Sequence, residues 1–174
     1  MSGLIIPKRY LDIKENPLIF LMGPIRGAPL WQDEAIKIIT EKDNKIFIAS
    51  PRREINPAIE PYLLSGEEDY FKRQRAWERH YLDRARKAGA VLCWLPEEAQ
   101  HDCKKAYGAM TRLEIGQMIT HLAYDGSTRF CIGSEGKFSE LNTILFDLSL
   151  DAPWIKLQPT LEATCFEALR IARS

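Results

Sequence analysis

The sequence predicts an α/β protein: a three-layer sandwich with a five-stranded parallel sheet, flavodoxin/Rossmann-like, in strand order 2-1-3-4-5. Three observations predict it. Five short apolar runs alternate with five longer amphipathic segments, the pattern of parallel βαβ units. Right-handed crossovers between parallel strands then put helices on both faces of the sheet. No internal repeat, low-complexity tract or linker interrupts the 174 residues, so one domain is expected over 1–174.

The elements follow in order. The first strand run is LIFLM (18–22), which stops abruptly in GPIRG (23–27). WQDEAIKIITEK (31–42) then sets Trp31, Ala35, Ile38 and Ile39 on one side of a helix. KIFIAS (45–50) is the second strand run. PRREINPAIEPYLLSGEEDY (51–70), with three prolines and a glycine, breaks the economy of the chain. A connection of this length is either a lid or binding loop, or a surface excursion packed on a neighbour. RQRAWERHYLDRARKAG (73–89) aligns Tyr81, Leu82, Ala85 and Ala88, and AVLCWL (90–95) is the third strand run. MTRLEIGQMITHLAY (110–124) aligns Ile115, Met118, Ile119 and Leu122. RFCIG (129–133), the helical FSELNTILFDLSL (138–150), a weaker WIKL (154–157) and the helical TLEATCFEALRIA (160–172) complete the series.

Composition narrows the function. Lys+Arg and Asp+Glu number 24 each, so no net charge draws the chain to nucleic acid or to an anionic membrane surface. No apolar run approaches the roughly 20 residues of a membrane span. The N-terminus lacks a signal peptide's apolar core, and the expectation is a cytoplasmic protein. Of the four cysteines, Cys93 and Cys131 sit in strand runs and read as small buried hydrophobes; none is spaced CxxC. His101, Asp102 and Cys103 offer too few ligands for a closed zinc site and read as a solvated loop, so no metal and no cofactor are expected.

Three features converge on one edge of such a sheet. In an open parallel sheet, ligands bind beyond the carboxyl ends of the strands, where the strand order reverses. GPIRG is the turn after the first strand run, beside that point. Gly23 and Gly27 permit tight backbone and close approach, Pro24 stiffens the turn, and Arg26 adds a forked donor. The spacing is neither that of a P-loop nor GxGxxG, and a plain strand-to-helix turn competes with a ligand-shaped one. Glu114 stands at the start of the helix after the third strand run, on the face of Met118 and Leu122. A carboxylate there is costly unless paired or used. Alternatively, Thr111 and Glu114 form a capping box. Glu78 joins the stripe of Tyr81, Leu82 and Ala85. Asp83 falls between stripe positions, and His80 reads as a flank histidine. The cations Lys72, Arg73, Arg75, Arg79, Arg84, Arg86 and Lys87 read as a solvated, salt-paired face rather than a nucleic-acid patch.

The ordered set FLMGPIRG, WQDEA, ASPRR, WERHYL, AGAVLCWLP and TRLEIGQM, over roughly residues 18–135, resembles the nucleoside 2-deoxyribosyltransferase-like family. The resemblance implies an enzyme that cleaves or exchanges the N-glycosidic bond of (deoxy)nucleosides or nucleotides. Glu114 would be the nucleophile on the sugar C1′, with Glu78 as the second catalytic group. Gly23, Pro24, Ile25, Arg26 and Gly27, with Trp94 of AGAVLCWLP and Arg112 of TRLEIGQM, would bind substrate. GPIRG is also similar to the Gly-Ser-Ile-Arg-Gly turn of the related deoxynucleoside 5′-monophosphate N-glycosidases. That similarity leaves a hydrolase of monophosphates as an alternative, beside a non-catalytic nucleotide-binding or sensing domain. The family implies a homo-oligomer, a dimer or higher. Two departures stand out. AYGAMTR, before Glu114, lacks the aspartate that helps protonate the base in some relatives. Glu78, His80 and Asp83 all lie near the position of a second family aspartate, so the proton carrier is open among them.

Overall fold

A computed structural model of the chain describes residues 3–7, 9–52, 68–104 and 106–174. Six strands, β1 (Gly3–Ile5), β2 (Leu18–Met22), β3 (Phe47–Ala49), β4 (Ala90–Leu95), β5 (Phe130–Ser134) and β6 (Leu157–Gln158), form one sheet. Five helices among the described residues accompany them: α1 (Trp31–Lys42), α2 (Glu68–Ala88), α3 (Ala109–Tyr124), α4 (Leu141–Asp151) and α5 (Leu161–Arg173). The sheet order is β1-β3-β2-β4-β5-β6, and all five pairings are parallel.

This corrects the five-stranded 2-1-3-4-5 sheet expected from the sequence to six strands; the five expected runs keep their relative order and one strand is added at an edge. The added strand is the N-terminal Gly-Leu-Ile, which pairs with β3 from Gly3↔Phe47 to Ile5↔Ala49. Three residues are too few to display a period, yet Ile5 is fully buried. The other edge is shorter than expected: of 154–157, only Leu157 joins a ladder, together with Gln158. The loop expected over 51–70 lies mostly outside the described residues. Only Pro51, Arg52 and the backbone of the first α2 turn are described there.

The central strands β2, β4 and β5 are buried at every position, as parallel strands covered on both faces must be. Alternation divides their side chains between two cores. Phe20, Met22, Cys93, Leu95 and Ile132 face α2, α3 and α4, and meet Trp77, Tyr81, Ile115, Met118 and Leu141. Ile19, Leu21, Leu92 and Trp94 face α1 and α5, and meet Trp31, Ala35, Ile39, Cys165 and Leu169. Among the described residues no helix is long and apolar enough to cross a membrane.

Candidate functional site

The chain passes from β2 to β3 on one side and then crosses to β4 on the other, so β2 and β4 flank the switch point. A cleft of about 620 Å³ opens at their carboxyl ends, a size suited to a small-molecule ligand. Gly23–Gly27, the loop after β4, the start of α3 and one side of α2 form its walls.

The glycines of the first wall answer to the protein rather than to a ligand. A Cβ on Gly23 would stand 2.4 Å from the Trp94 carbonyl oxygen and 2.7 Å from the Trp31 ring. A Cβ on Gly27, whose φ is +75°, would stand 2.7 Å from the Gln100 carbonyl oxygen. Further bonds fix the turn. Trp31 Nε1 and Gln32 Nε2 both donate to the Pro24 carbonyl, at 2.8 and 3.2 Å. Ala99 and Gln100 N–H donate to the Gly27 carbonyl, at 2.7 and 3.1 Å. The side chains of Pro24, Ile25 and Arg26 are left to the cleft. Arg26 is two-thirds exposed and lies 4.0 Å from Asp102, so the cleft mouth carries both signs of charge.

Glu114 lies on the opposite wall. Helix α3 begins at Ala109 behind Gly108, whose φ of 64° is left-handed, and no side chain caps it. Thr111 is therefore the third helical residue and buried, not a cap. Glu114 is the sixth, one turn further along than a capping box requires. Its carboxylate crosses to α2 instead. Arg75 Nη1 donates to Glu114 Oε1 at 3.0 Å and to Glu78 Oε2 at 2.5 Å, and Gln74 Nε2 donates to Glu78 Oε1 at 3.0 Å. The three charged side chains are only 14% (Glu114), 12% (Glu78) and 22% (Arg75) exposed. Burial raises the Glu114 pKa above the ordinary carboxylate value; the bond and charge of Arg75 oppose this, and the like charge of Glu78 adds to it. Burial works to lower Arg75, but its bond to Glu114 and the charges of both carboxylates outweigh that and hold it above the ordinary arginine value.

The expected residues thus divide. Glu114, Glu78, Gly23, Pro24, Ile25, Arg26 and Gly27 line one cleft. Trp94 does not: alternation along β4 turns it into the α1/α5 core, where it is 2% exposed and packs under Gly133. Arg112 does not line it either. Its guanidinium donates to the Tyr107 carbonyl and to Ser139 Oγ (2.5 Å), and stacks 4.6 Å over the Phe138 ring. Helical spacing turns it away from Glu114 and toward the start of α4. His80 faces Tyr10 and Tyr81 edge-on, and Asp83 pairs with Arg86 and Lys87. Neither lines the cleft, which leaves Glu78 as the second carboxylate beside Glu114. Glu98 and Asp102 line the loop wall, with Tyr107. Burial, with the charge of Glu98, pushes the Tyr107 hydroxyl up to about 12; it donates to the Pro96 carbonyl at 3.0 Å and closes the loop after β4.

Arg75 is the residue that sequence reasoning missed. Seven cations between 72 and 87 read as a solvated face. The signal that singles out Arg75 is its spacing, three residues before Glu78 on the same helical side. Cys93 and Cys131 are buried as expected, and His101 pairs with Glu98 at 3.1 Å. Among the described residues no three His, Cys, Asp or Glu side chains converge as metal ligands.

Fold and site together define an α/β sandwich with a clamped carboxylate pair at its switch-point cleft. Neither a family model nor a curated protein matches the chain.

Proposed function

We propose that the chain cleaves or exchanges the N-glycosidic bond of nucleosides or nucleotides, with Glu114 as nucleophile. The observation that carries this reading is the state of the Glu114 carboxylate. One oxygen is held by Arg75, the other accepts no hydrogen bond among the described residues, and the residue lines the cleft. The ordered motif resemblance to the nucleoside 2-deoxyribosyltransferase-like family supports it.

The chemistry suits two carboxylates. Breaking the C1′–N bond leaves its electron pair on the base nitrogen and develops positive charge across C1′ and the ring oxygen. A carboxylate oxygen below C1′ stabilises that charge and closes on carbon to give a glycosyl ester. The departing base takes up a proton from water in the cleft, and the second nucleophile, as it adds to C1′, returns one to water. A second nucleophile then attacks C1′ and the Glu114 oxygen leaves with its electron pair. If the second nucleophile is another base, the reaction is a transfer; if it is water, a hydrolysis. Arg26 at the cleft mouth, more than half exposed, suits a 5′-phosphate and so favours nucleotides as the second substrate class.

The test is incubation of the wild type and Glu114→Gln with purine and pyrimidine deoxynucleosides and their 5′-monophosphates, with and without an acceptor base. Free and exchanged base are measured by chromatography. The wild type should turn over, and the variant should fall by about 10³-fold or more with binding largely kept. Binding without turnover by the wild type would mean a nucleotide-binding domain. Turnover surviving in the variant within a few-fold would remove Glu114 from the mechanism.

A further inference from the structure

The contacts of Arg75 are unusual in that one nitrogen, Nη1, serves both carboxylates, at 2.5 and 3.0 Å. A guanidinium offers five N–H donors in a rigid fork, and its pairs with a carboxylate are frequently bidentate. Here Glu78 and Glu114 divide one arm. Among the described residues one cation bonds both anions, so the ionised trio carries one negative charge in excess, in surroundings where charge is poorly screened.

We infer that Arg75 is a positioning residue for Glu114, resting on the glycosyl-transfer reading above: it fixes Oε1, leaves Oε2 without a bond among the described residues, and shares its grip with Glu78, so that the two α2 side chains together set how readily Oε2 attacks. The excess negative charge favours the cationic sugar as the C1′–N bond breaks. Capture of C1′ by Oε2 converts Glu114 into a neutral ester, which removes its repulsion with Glu78 and leaves Arg75 and Glu78 as a balanced pair. Departure of the ester oxygen in the second step restores the divided clamp.

Among the described residues the charged and titratable groups facing Glu114 are few. From α2 come Arg75 and Glu78, and from β4 the buried Cys93 thiol. Across the cleft lie Arg26, Glu98, Asp102 and Tyr107. Of these, only Arg75 touches the Glu114 carboxylate. The directions of influence agree with the geometry: Arg75 favours the ionised form, while Glu78 disfavours it. Loss of each partner should therefore move Glu114 in opposite senses, and only a role in positioning the nucleophile would carry those shifts into the pH profile of base release.

The test is a carboxyl ¹³C NMR titration of the ligand-free protein, labelled at glutamate Cδ, with the Glu114 signal assigned by Glu114→Gln. Arg75→Met should raise the Glu114 midpoint, and Glu78→Gln should lower it. Arg75→Lys, a point charge without the fork, should fall between wild type and Arg75→Met; it carries the cation arm should Arg75→Met fail to fold. In parallel, base release by Arg75→Met should lose about tenfold or more at the acid end of the profile relative to the alkaline end, as removal of a cation at this distance implies. A Glu114 midpoint that is unchanged in the variants, or that moves the same way in both, overturns the inference. Opposite NMR shifts in a wild type that releases no base would sustain the Arg75–Glu78 clamp while defeating the glycosidic reading. Base release with unmoved midpoints would do the reverse.

Discussion

Glu114 is held where its ionised form is costly, and its stability should show this. Burial raises its folded-state pKa, with Glu78 adding and Arg75 opposing. A carboxyl raised on folding lends stability that is fully present below its ordinary value and is lost as pH rises through the folded value. Glu114→Gln does not titrate. Its unfolding midpoint relative to wild type should therefore be most favourable at neutral pH, and that advantage should shrink as pH falls toward 4.5, the ordinary carboxyl value. Denaturant unfolding of both proteins across this range checks it. An advantage that grows on acidification would mean that Arg75 dominates and the carboxylate is a stabilising ion pair. The residue scale also shows what the sequence hides. Glu114 and Glu78 were legible because each joins an apolar stripe at helical spacing. Arg75 was not, because it stands among seven cations and its partner on α3 is 39 residues away.

At the scale of elements, α3 is positioned by its N-terminal half as much as by its buried stripe. Arg112 ties the helix start to the loop before it and to the approach of α4, through Tyr107, Ser139 and the Phe138 ring. Arg112→Ala should cost about 1–2 kcal/mol, the scale of a hydrogen-bonded and stacked cation, measured by denaturant unfolding. On the glycosidic reading proposed above, the KM should change by no more than a few-fold. A large rise in KM with unchanged stability would return Arg112 to the substrate-binding set. Arg112 and Trp94 fall outside the cleft lining for one shared reason. Sequence places both beside the ligand edge, but periodicity says only that neighbours alternate, not which face meets the cleft. Trp94 shares its side of β4 with Ala90 and Leu92 in the α1/α5 core, while Cys93 and Leu95 take the other.

At the scale of the molecule, the α/β alternation was legible because three central strands are buried on both faces and read as continuous apolar runs. The sheet edges were not. Three residues at Gly3–Ile5 and two at Leu157–Gln158 pair only because neighbouring strands present their edges, and such short elements carry no period of their own. The cleft depends on the central part alone, where β2 and β4 pair in parallel from Ile19↔Ala90 to Met22↔Cys93. That pairing brings GPIRG, the α2 clamp and the start of α3 to one edge, although they are distant in sequence.

On the proposed mechanism Glu114 bonds to the sugar, and covalent trapping measures this most directly. A 2′-deoxy-2′-fluoro-arabinosyl nucleoside slows breakdown of a glycosyl ester by withdrawing electrons beside C1′. Intact-protein mass spectrometry after incubation should show one fluoro-sugar added per chain, peptide mapping should locate it on Glu114, and Glu114→Gln should take up none. An adduct on Glu78, or no adduct in an enzyme that visibly releases base from the same compound, would contradict the account.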